Sequence, residues 1–184
     1  MLNRSLKILF LANGIFSFAG SMLGPLYAVF VEQFDKNILS VSLTWAAFLV
    51  SATVFTYMIS LVGDRIREKE YLLMAGFMVR AVVWGGLIMI HSFSLLVIAQ
   101  ILLGLGEALG SPAFDSIFAE HLDRNKHVRE FSDWKLIYNL TMAAGTVLGG
   151  LLAVKFGFNV LFLTMSLLAF VSLVIVWRQP RRVL

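Results

Sequence analysis

The sequence contains no cysteine, which excludes a disulfide framework, a thiolate metal site and a cysteine nucleophile. Its three histidines, His91, His121 and His127, show no spacing typical of metal ligands. No GxxxxGKS or GxxxxGKT loop is present, so a self-contained ATP-driven pump is not indicated. Neither an HExxH motif nor a Ser/His/Asp arrangement is visible. We therefore expect a protein that is not an enzyme and that uses neither a metal nor a cofactor.

Apolar residues, in contrast, make up 59% of the chain, and the mean hydropathy is +0.86. Soluble domains contain about 45–50% apolar residues. The excess lies in runs of roughly 18–25 residues, long enough to cross a bilayer core as helices. The runs cover about residues 6–30, 41–62, 71–90, 93–119, 131–154 and 158–177. Because backbone groups in lipid must pair within the protein, and barrel strands alternate and are roughly half as long as these runs, this pattern predicts an all-α membrane protein. We expect one domain of six transmembrane helices over residues 1–184.

The positive charges lie between the apolar runs and almost entirely on one side of the predicted membrane. One side carries Arg4, Lys7, Arg65, Arg67, Lys69, Arg124, Lys126, Arg129, Lys135, Arg178, Arg181 and Arg182. The other side carries only Lys36 and Lys155. Since Lys and Arg favour the cytoplasmic side, both termini are predicted to be cytoplasmic. We expect a multi-pass protein of a bacterial or archaeal plasma membrane. Nucleic acid is not expected as a partner, because the basic residues form no patch with interleaved aromatic residues.

The first apolar run carries small and polar residues on one helical face. These residues recur at steps of three and four and are Asn13, Ser17, Gly20, Ser21 and Gly24. Such a face either packs closely against a neighbouring helix or lines a cavity, and packing is the favoured interpretation. Asn13 is nevertheless a candidate transport residue. Gly24 and Pro25 are expected to bend the outer end of this span.

The fourth run carries a polar stripe with two carboxylates. Its members are Gln100, Gly104, Glu107, Ser111 and Asp115. A carboxylate facing lipid is costly, so Glu107 should face protein or water. It is either a buried group paired with a neighbouring helix or a site for a proton or solute. Gln100 is a second candidate for solute contact. Asp115 lies near the cytoplasmic end, where a structural latch is favoured.

Arg80 lies near the middle of the third run, at a depth similar to that of Glu107 in the antiparallel neighbour. An Arg80–Glu107 ion pair would lower the cost of both charges in the membrane. We therefore predict this pair, and Arg80 joins Glu107 as a candidate for transport or proton coupling. In the fifth run, Gly145 and Gly149 form a surface typical of close helix packing.

The segment between the second and third runs, residues 60–72, reads SLVGDRIREKEYL. It is similar to the signature G-x-L-A-D-R-x-G-R-K-x-x-L of the major facilitator superfamily of secondary transporters. Asp64, Arg65 and Lys69 match this signature, and Leu72 stands at its final apolar position. The chain departs from the signature at Ser60, Val62, Gly63, Arg67 and Glu68.

Two further segments resemble the same family. Residues 104–108 with 112–113 are similar to its fourth span, although Gln100 stands where the family often has arginine. Residues 144–152 with 156–158 are similar to its fifth span, without the proline of the antiporter motif. The resemblance covers essentially the whole chain as the N-terminal six-helix half of the family. It implies a 3+3 bundle, with residues 6–90 and 93–177 as the two sets of three spans.

The resemblance also implies a cytoplasmic gate built on the charged segment 60–72. In the family, the aspartate of the signature faces a helix N-terminus in the other half, which is the role implied for Asp64. The basic residues of the signature engage nearby acidic groups. This implies that Arg65 and Lys69 contribute to the gate, with Asp115 as the span-four partner of Arg65.

The implied function is the movement of a small solute across the membrane by alternating access, with Glu107 as the candidate for proton coupling. Family members normally have twelve spans, so we expect this half-length chain to pair with itself or with a second six-helix half. The alternatives are a truncated or split transporter and a non-transporting membrane scaffold or interaction subunit.

Overall fold

The computed structural model describes residues 4–63 and 68–179. Those residues form helices and turns, with no strand in either range. The α-helices are α1 (Arg4–Leu23), α2 (Tyr27–Val31), α3 (Ile38–Gly63), α4 (Lys69–Gly86), α5 (Phe93–Glu120) and α6 (His127–Trp177). Two short 3₁₀ turns, Gly24–Leu26 and Leu87–Met89, follow α1 and α4.

Five helical stretches in the described ranges are long and apolar enough to cross a membrane. They are Ser5–Val31, Ile38–Leu61, Lys69–Met89, Phe93–Glu120 and His127–Trp177. The all-helical membrane class expected from the hydropathy is therefore present. The predicted fifth and sixth spans both lie in α6, which consists of two helical parts that meet at a kink. Its regular torsions are interrupted at Gly157, where φ is 80° and ψ is 173°.

The first span changes from α-helix to a 3₁₀ turn at Gly24 and Pro25, the position at which a bend was predicted. α1 ends at Leu23, a 3₁₀ turn covers Gly24–Leu26, and α2 resumes at Tyr27. Proline has no N–H group and fixes its own φ, so it suits the start of this tighter turn and not the interior of a helix. The result is a short 3₁₀ turn between α1 and α2 within one continuous apolar stretch.

The turn between α2 and α3 is held by side chains that accept hydrogen bonds. Asp35 Oδ1 accepts the backbone N–H of Asn37 at 2.9 Å, and Asp35 Oδ2 accepts the hydroxyl of Ser40 at 2.5 Å. Asn37 Oδ1 accepts the N–H of Leu39 at 3.0 Å and so caps the start of α3. The Ser40 hydroxyl, followed by the Asn37 N–H, holds the pKa of Asp35 below its usual range.

This turn is expected to loosen in acid and in the variant Asp35→Ala. Because the pKa of Asp35 is lowered by folding, its contribution is complete above the unfolded value of about 3.9 and is lost as the pH falls through the folded value. Hydrogen exchange of the peptide containing residues 36–40, corrected for intrinsic rates, measures the effect. Lys36→Ala is the control in the same turn. Equal exchange in the two variants at neutral pH would contradict the prediction.

Glycines allow three pairs of helices to approach closely. A Cβ built on Gly149 of α6 would lie 2.1 Å from the carbonyl oxygen of Met22, and one on Gly145 would lie 2.6 Å from that of Phe18. Between α3 and α5, a Cβ on Gly104 would lie 2.8 Å from the carbonyl oxygen of Phe48. Gly76 of α4 is similarly tight against α5. The packing role predicted for Gly145 and Gly149 is therefore confirmed.

The apolar core lies between α1, α4, α5 and α6, and α3 contributes little to it. Fully buried core residues include Leu9, Phe77, Phe118 and Phe162. Only 11% of the most apolar stretch of α3 is buried, against 39–50% for the other four spans. One side of α3 packs on α5 through Gly104, which leaves most of its surface without protein contact.

Candidate functional site

A small polar cavity of about 150 Å³ lies inside the bundle between α1, α4, α5 and α6. It is lined by Asn13, Phe16, Ser17, Gly76, Phe77, Arg80, Gly106, Glu107, Gly110, Ser111, Phe114 and Tyr138. Three of the four residues predicted as transport or proton-coupling candidates therefore share one cavity. They are Asn13, Arg80 and Glu107.

An ion pair between Arg80 of α4 and Glu107 of α5 spans one side of this cavity. The ion pair that we predicted from the similar depths of these two residues is thus present. The side chain of Arg80 is 16% exposed and that of Glu107 is 36% exposed. The guanidinium carbon of Arg80 also lies 5.1 Å from the centre of the Phe16 ring, which adds a cation–π contact.

The absence of a side chain at Gly106 makes room for Arg80. A Cβ at position 106 would lie 2.7 Å from Arg80 Cγ. Gly76 and Gly110 bring the backbones of α4 and α5 together on the same side, since a Cβ on Gly76 would lie 2.7 Å from the Gly110 Cα. The glycines therefore set both the helix separation and the path of the Arg80 stem.

The ion pair lies near mid-membrane depth if these helices cross a bilayer. At about 1.5 Å per residue, Arg80 is about 16 Å from the start of α4, and Glu107 is about 20 Å from the end of α5. A bilayer core is about 30 Å thick. Each charge is therefore far from either surface, and each reduces the energetic cost of the other.

The polar face of α1 serves both of the roles that its sequence left open, which are cavity lining and close helix packing. Asn13 and Ser17 line the cavity. Ser21 packs against Gly145 of α6, and a Cβ on Gly20 would touch the Trp84 ring at 3.6 Å. Nothing lies within 4 Å of a Cβ on Gly24. The part of the face nearer the start of α1 thus lines the cavity, and Gly20 and Ser21 serve packing.

Gln100, the fourth candidate, lies away from the cavity. It is buried on α5, two helical turns closer to Ser92, and it lies beside Tyr27. The Tyr27 hydroxyl is buried and makes no direct hydrogen bond with any residue that the structure describes, although Thr44 and Gln100 adjoin it.

The charged gate candidates lie at the end of the bundle where α4 begins and α5 ends. We call this end the basic end. Lys69 Nζ donates to Ser116 Oγ at 2.7 Å and forms an ion pair with Glu120. Asp115 is exposed on α5. Asp64 and Arg65, including the predicted contact between Arg65 and Asp115, lie outside the described residues.

The sequence analysis missed several residues that the structure adds to these sites. Phe16 contacts Arg80, and Tyr138 lines the cavity from α6. Ser116 and Glu120 bind Lys69 at the basic end. For Phe16 and Tyr138, the only signal in the sequence is its aromatic content. For Ser116 and Glu120, the only signal is their four-residue spacing along one helix. Neither signal is specific. Among the described residues, no group of three His, Asp or Glu side chains is placed to hold a metal ion.

Comparisons with known proteins agree with this architecture. The family model of the Major Facilitator Superfamily matches residues 9–183. The uncharacterized MFS-type transporter YitZ of Bacillus subtilis (strain 168) is 25% identical over 164 residues, which cover 84% of this chain and 94% of that protein.

A solved structure shares the fold. The in meso crystal structure of the POT family transporter PepTSo matches with a TM-score of 0.77 at 17% identity. The match covers 96% of this chain but only 37% of that transporter. Because the family model spans nearly the whole sequence, the chain belongs to the major facilitator superfamily.

Proposed function

We propose that this chain is a six-helix half of a secondary transporter that moves a small solute by alternating access. The observation that carries the proposal is the Arg80–Glu107 ion pair, which faces a polar cavity together with Asn13. Intramembrane charges are costly, and they commonly mark solute and proton pathways. Membership of the superfamily and the fold shared with PepTSo support a transporter.

The geometry around Gly157 supports six crossings. A straight 51-residue helix would be about 77 Å long, more than twice the thickness of a bilayer core. Leu168 lines the same groove as Ile137 and Thr141, although a straight helix would hold Leu168 about 40 Å from Thr141. A reversal at Gly157 accounts for this shared groove. In this proposal, an even number of crossings puts both termini on the same side of the membrane. The excess of Lys and Arg at the basic end predicts that this side is the cytoplasm.

The exposed surface of α3 supports a second half as partner. Val50, Tyr57 and Leu61 are between 61% and 67% exposed, and only 11% of the most apolar stretch of α3 is buried, far less than in the other spans. The cavity is also open beside Glu107, whose side chain is 36% exposed. A second copy of this chain, or another six-helix half, would supply the missing wall.

In this proposal, Glu107 takes up and releases the coupling proton, and Arg80 holds the empty site closed. A proton on Glu107 would remove the negative partner of Arg80 and free the guanidinium for an acceptor group on the solute. Asn13, which lines the same cavity, would add a polar contact to the solute. At the basic end, Lys69 and Asp115 would belong to the cytoplasmic gate with Asp64 and Arg65.

The variant Glu107→Gln is expected to abolish proton coupling. The amide keeps the shape of the side chain but takes up no proton at neutral pH. Solutes that stabilise the wild type against heat are identified first, and their uptake into liposomes is then measured with and without an inward proton gradient. The gradient should stimulate the wild type and leave the variant unaffected. Glu32→Gln is the control, because Glu32 is an exposed carboxylate that lies outside the cavity and away from the basic end.

Two outcomes would overturn parts of this proposal. Gradient-driven uptake by Glu107→Gln equal to that of the wild type would assign the carboxylate a structural role. Native mass spectrometry in mild detergent tests the second half directly, since a dimer is expected at twice the 20.5 kDa mass of one chain. A monomer that persists across detergents and lipids, with no second chain bound, would contradict transport and favour a scaffold.

A further inference from the structure

An apolar groove on the outer surface of the bundle is separate from the polar cavity. It has a volume of about 600 Å³ and lies between α1 and the two parts of α6. Its lining is Lys7, Phe10, Leu11, Gly14, Ile15, Phe18, Ile137, Thr141 and Leu168. Leu11 lies about 200° around α1 from Asn13, so the groove opens on the side away from the candidate transport site.

The floor of the groove is an unfilled space over Gly14. This glycine is buried, yet a Cβ built on it would meet nothing within 4 Å. The helices therefore pass one another at this point without filling the space between them. The volume is within the range of about 300–1,000 Å³ that is typical of ligand pockets.

A single cationic group lines the end of the groove that is nearest to the membrane surface. Lys7 is exposed, and it has no ion-pair partner among the described residues. From Lys7 to Phe18 the groove follows α1 for about 16 Å. A positive charge near the surface thus leads into an apolar channel that extends toward the membrane centre.

We propose that this groove binds a phospholipid with an anionic headgroup. Its phosphate pairs with the ammonium group of Lys7, and one acyl chain lies over Gly14 between α1 and α6. The charge of Lys7 matches the phosphate, and the depth of the groove matches the direction in which an acyl chain enters the bilayer. A water-soluble solute does not fit, because the walls below Lys7 are almost entirely apolar.

Native mass spectrometry of the full chain tests this proposal. The delipidated protein is titrated with phosphatidylglycerol or with phosphatidylethanolamine, and the bound lipid is counted per chain. We expect one phosphatidylglycerol to bind more tightly than phosphatidylethanolamine. Lys7→Gln should weaken the phosphatidylglycerol complex about fivefold, as expected for loss of one basic residue at a membrane surface. Gly14→Leu should remove the tight site, because leucine occupies the space of the acyl chain.

Matched variants separate the groove from general effects of charge and size. Lys155→Gln removes an exposed lysine elsewhere, and Gly150→Leu fills a second position at which a Cβ meets nothing within 4 Å. Both should keep wild-type lipid binding. The proposal is overturned if the groove variants bind phosphatidylglycerol as these controls do, or if the wild type shows no preference for it. A lipid-free dimer that Gly14→Leu dissociates would also overturn it, since the groove would then hold a second copy.

Discussion

Replacing Gly149 with leucine is expected to separate α1 from α6 and to prevent the bundle from folding normally. A Cβ at this position would lie 2.1 Å from the carbonyl oxygen of Met22 and 2.6 Å from its Cα. These are backbone atoms, so no change of rotamer relieves the collision. The helices must move apart, and the contacts along their shared surface are lost. We expect a loss of stability of about 3 kcal/mol.

The adjacent glycine provides the control for this experiment. A Cβ on Gly150 meets nothing within 4 Å, so Gly150→Leu adds the same side chain to the same helix without a collision. Thermal unfolding in detergent, followed by fluorescence-detected size exclusion, compares the two variants. Gly150→Leu should behave as the wild type, and Gly149→Leu should melt far lower or aggregate. Similar melting of both variants would show that α1 and α6 are farther apart than described.

Removing one member of the Arg80–Glu107 pair is expected to cost more than removing both. Arg80→Met leaves the carboxylate of Glu107 without its cation near mid-membrane depth, and Glu107→Leu leaves the guanidinium without its anion. Each single change should destabilise the protein by about 3 kcal/mol. The double variant carries no unpaired charge, so a large part of that loss should be recovered. Likewise, exchanging the two charges should partly rescue either single reversal.

A double-mutant cycle on thermal or chemical unfolding measures this coupling. The Lys69–Glu120 pair at the basic end is the control, because its side chains are 29% and 55% exposed. Exposed pairs contribute roughly 0–1 kcal/mol, so its cycle should show little coupling. Additive losses at Arg80 and Glu107 would mean that the two side chains do not depend on each other. That result would also remove the support for the proposal that Arg80 holds the empty site closed.

Much of the site was predictable because it depends on distance along helices. The positions of Arg80 and Glu107 within two antiparallel runs fix their depths, and similar depths are what an ion pair requires. The packing role of Gly145 and Gly149 followed in the same way from a four-residue spacing. In contrast, Gln100 shares a helical stripe with Glu107 but lies two turns away, beside Tyr27 and outside the cavity. A stripe defines a direction around a helix, and it does not define which neighbouring helix meets each turn.

The sequence by itself determined that this chain is a helical membrane protein, because uninterrupted apolar runs of this length satisfy their backbone in lipid as helices, whereas barrel strands are shorter and alternate. The spacing of its small and charged residues also determined which helices were able to approach and which charges shared a depth. Only the tertiary structure decided the rotation of each helix about its axis. That rotation sets Phe16 against Arg80, divides the polar face of α1 between cavity and packing, and leaves the space over Gly14 unfilled. It results from packing against several neighbours at once, which a linear pattern of residues does not specify.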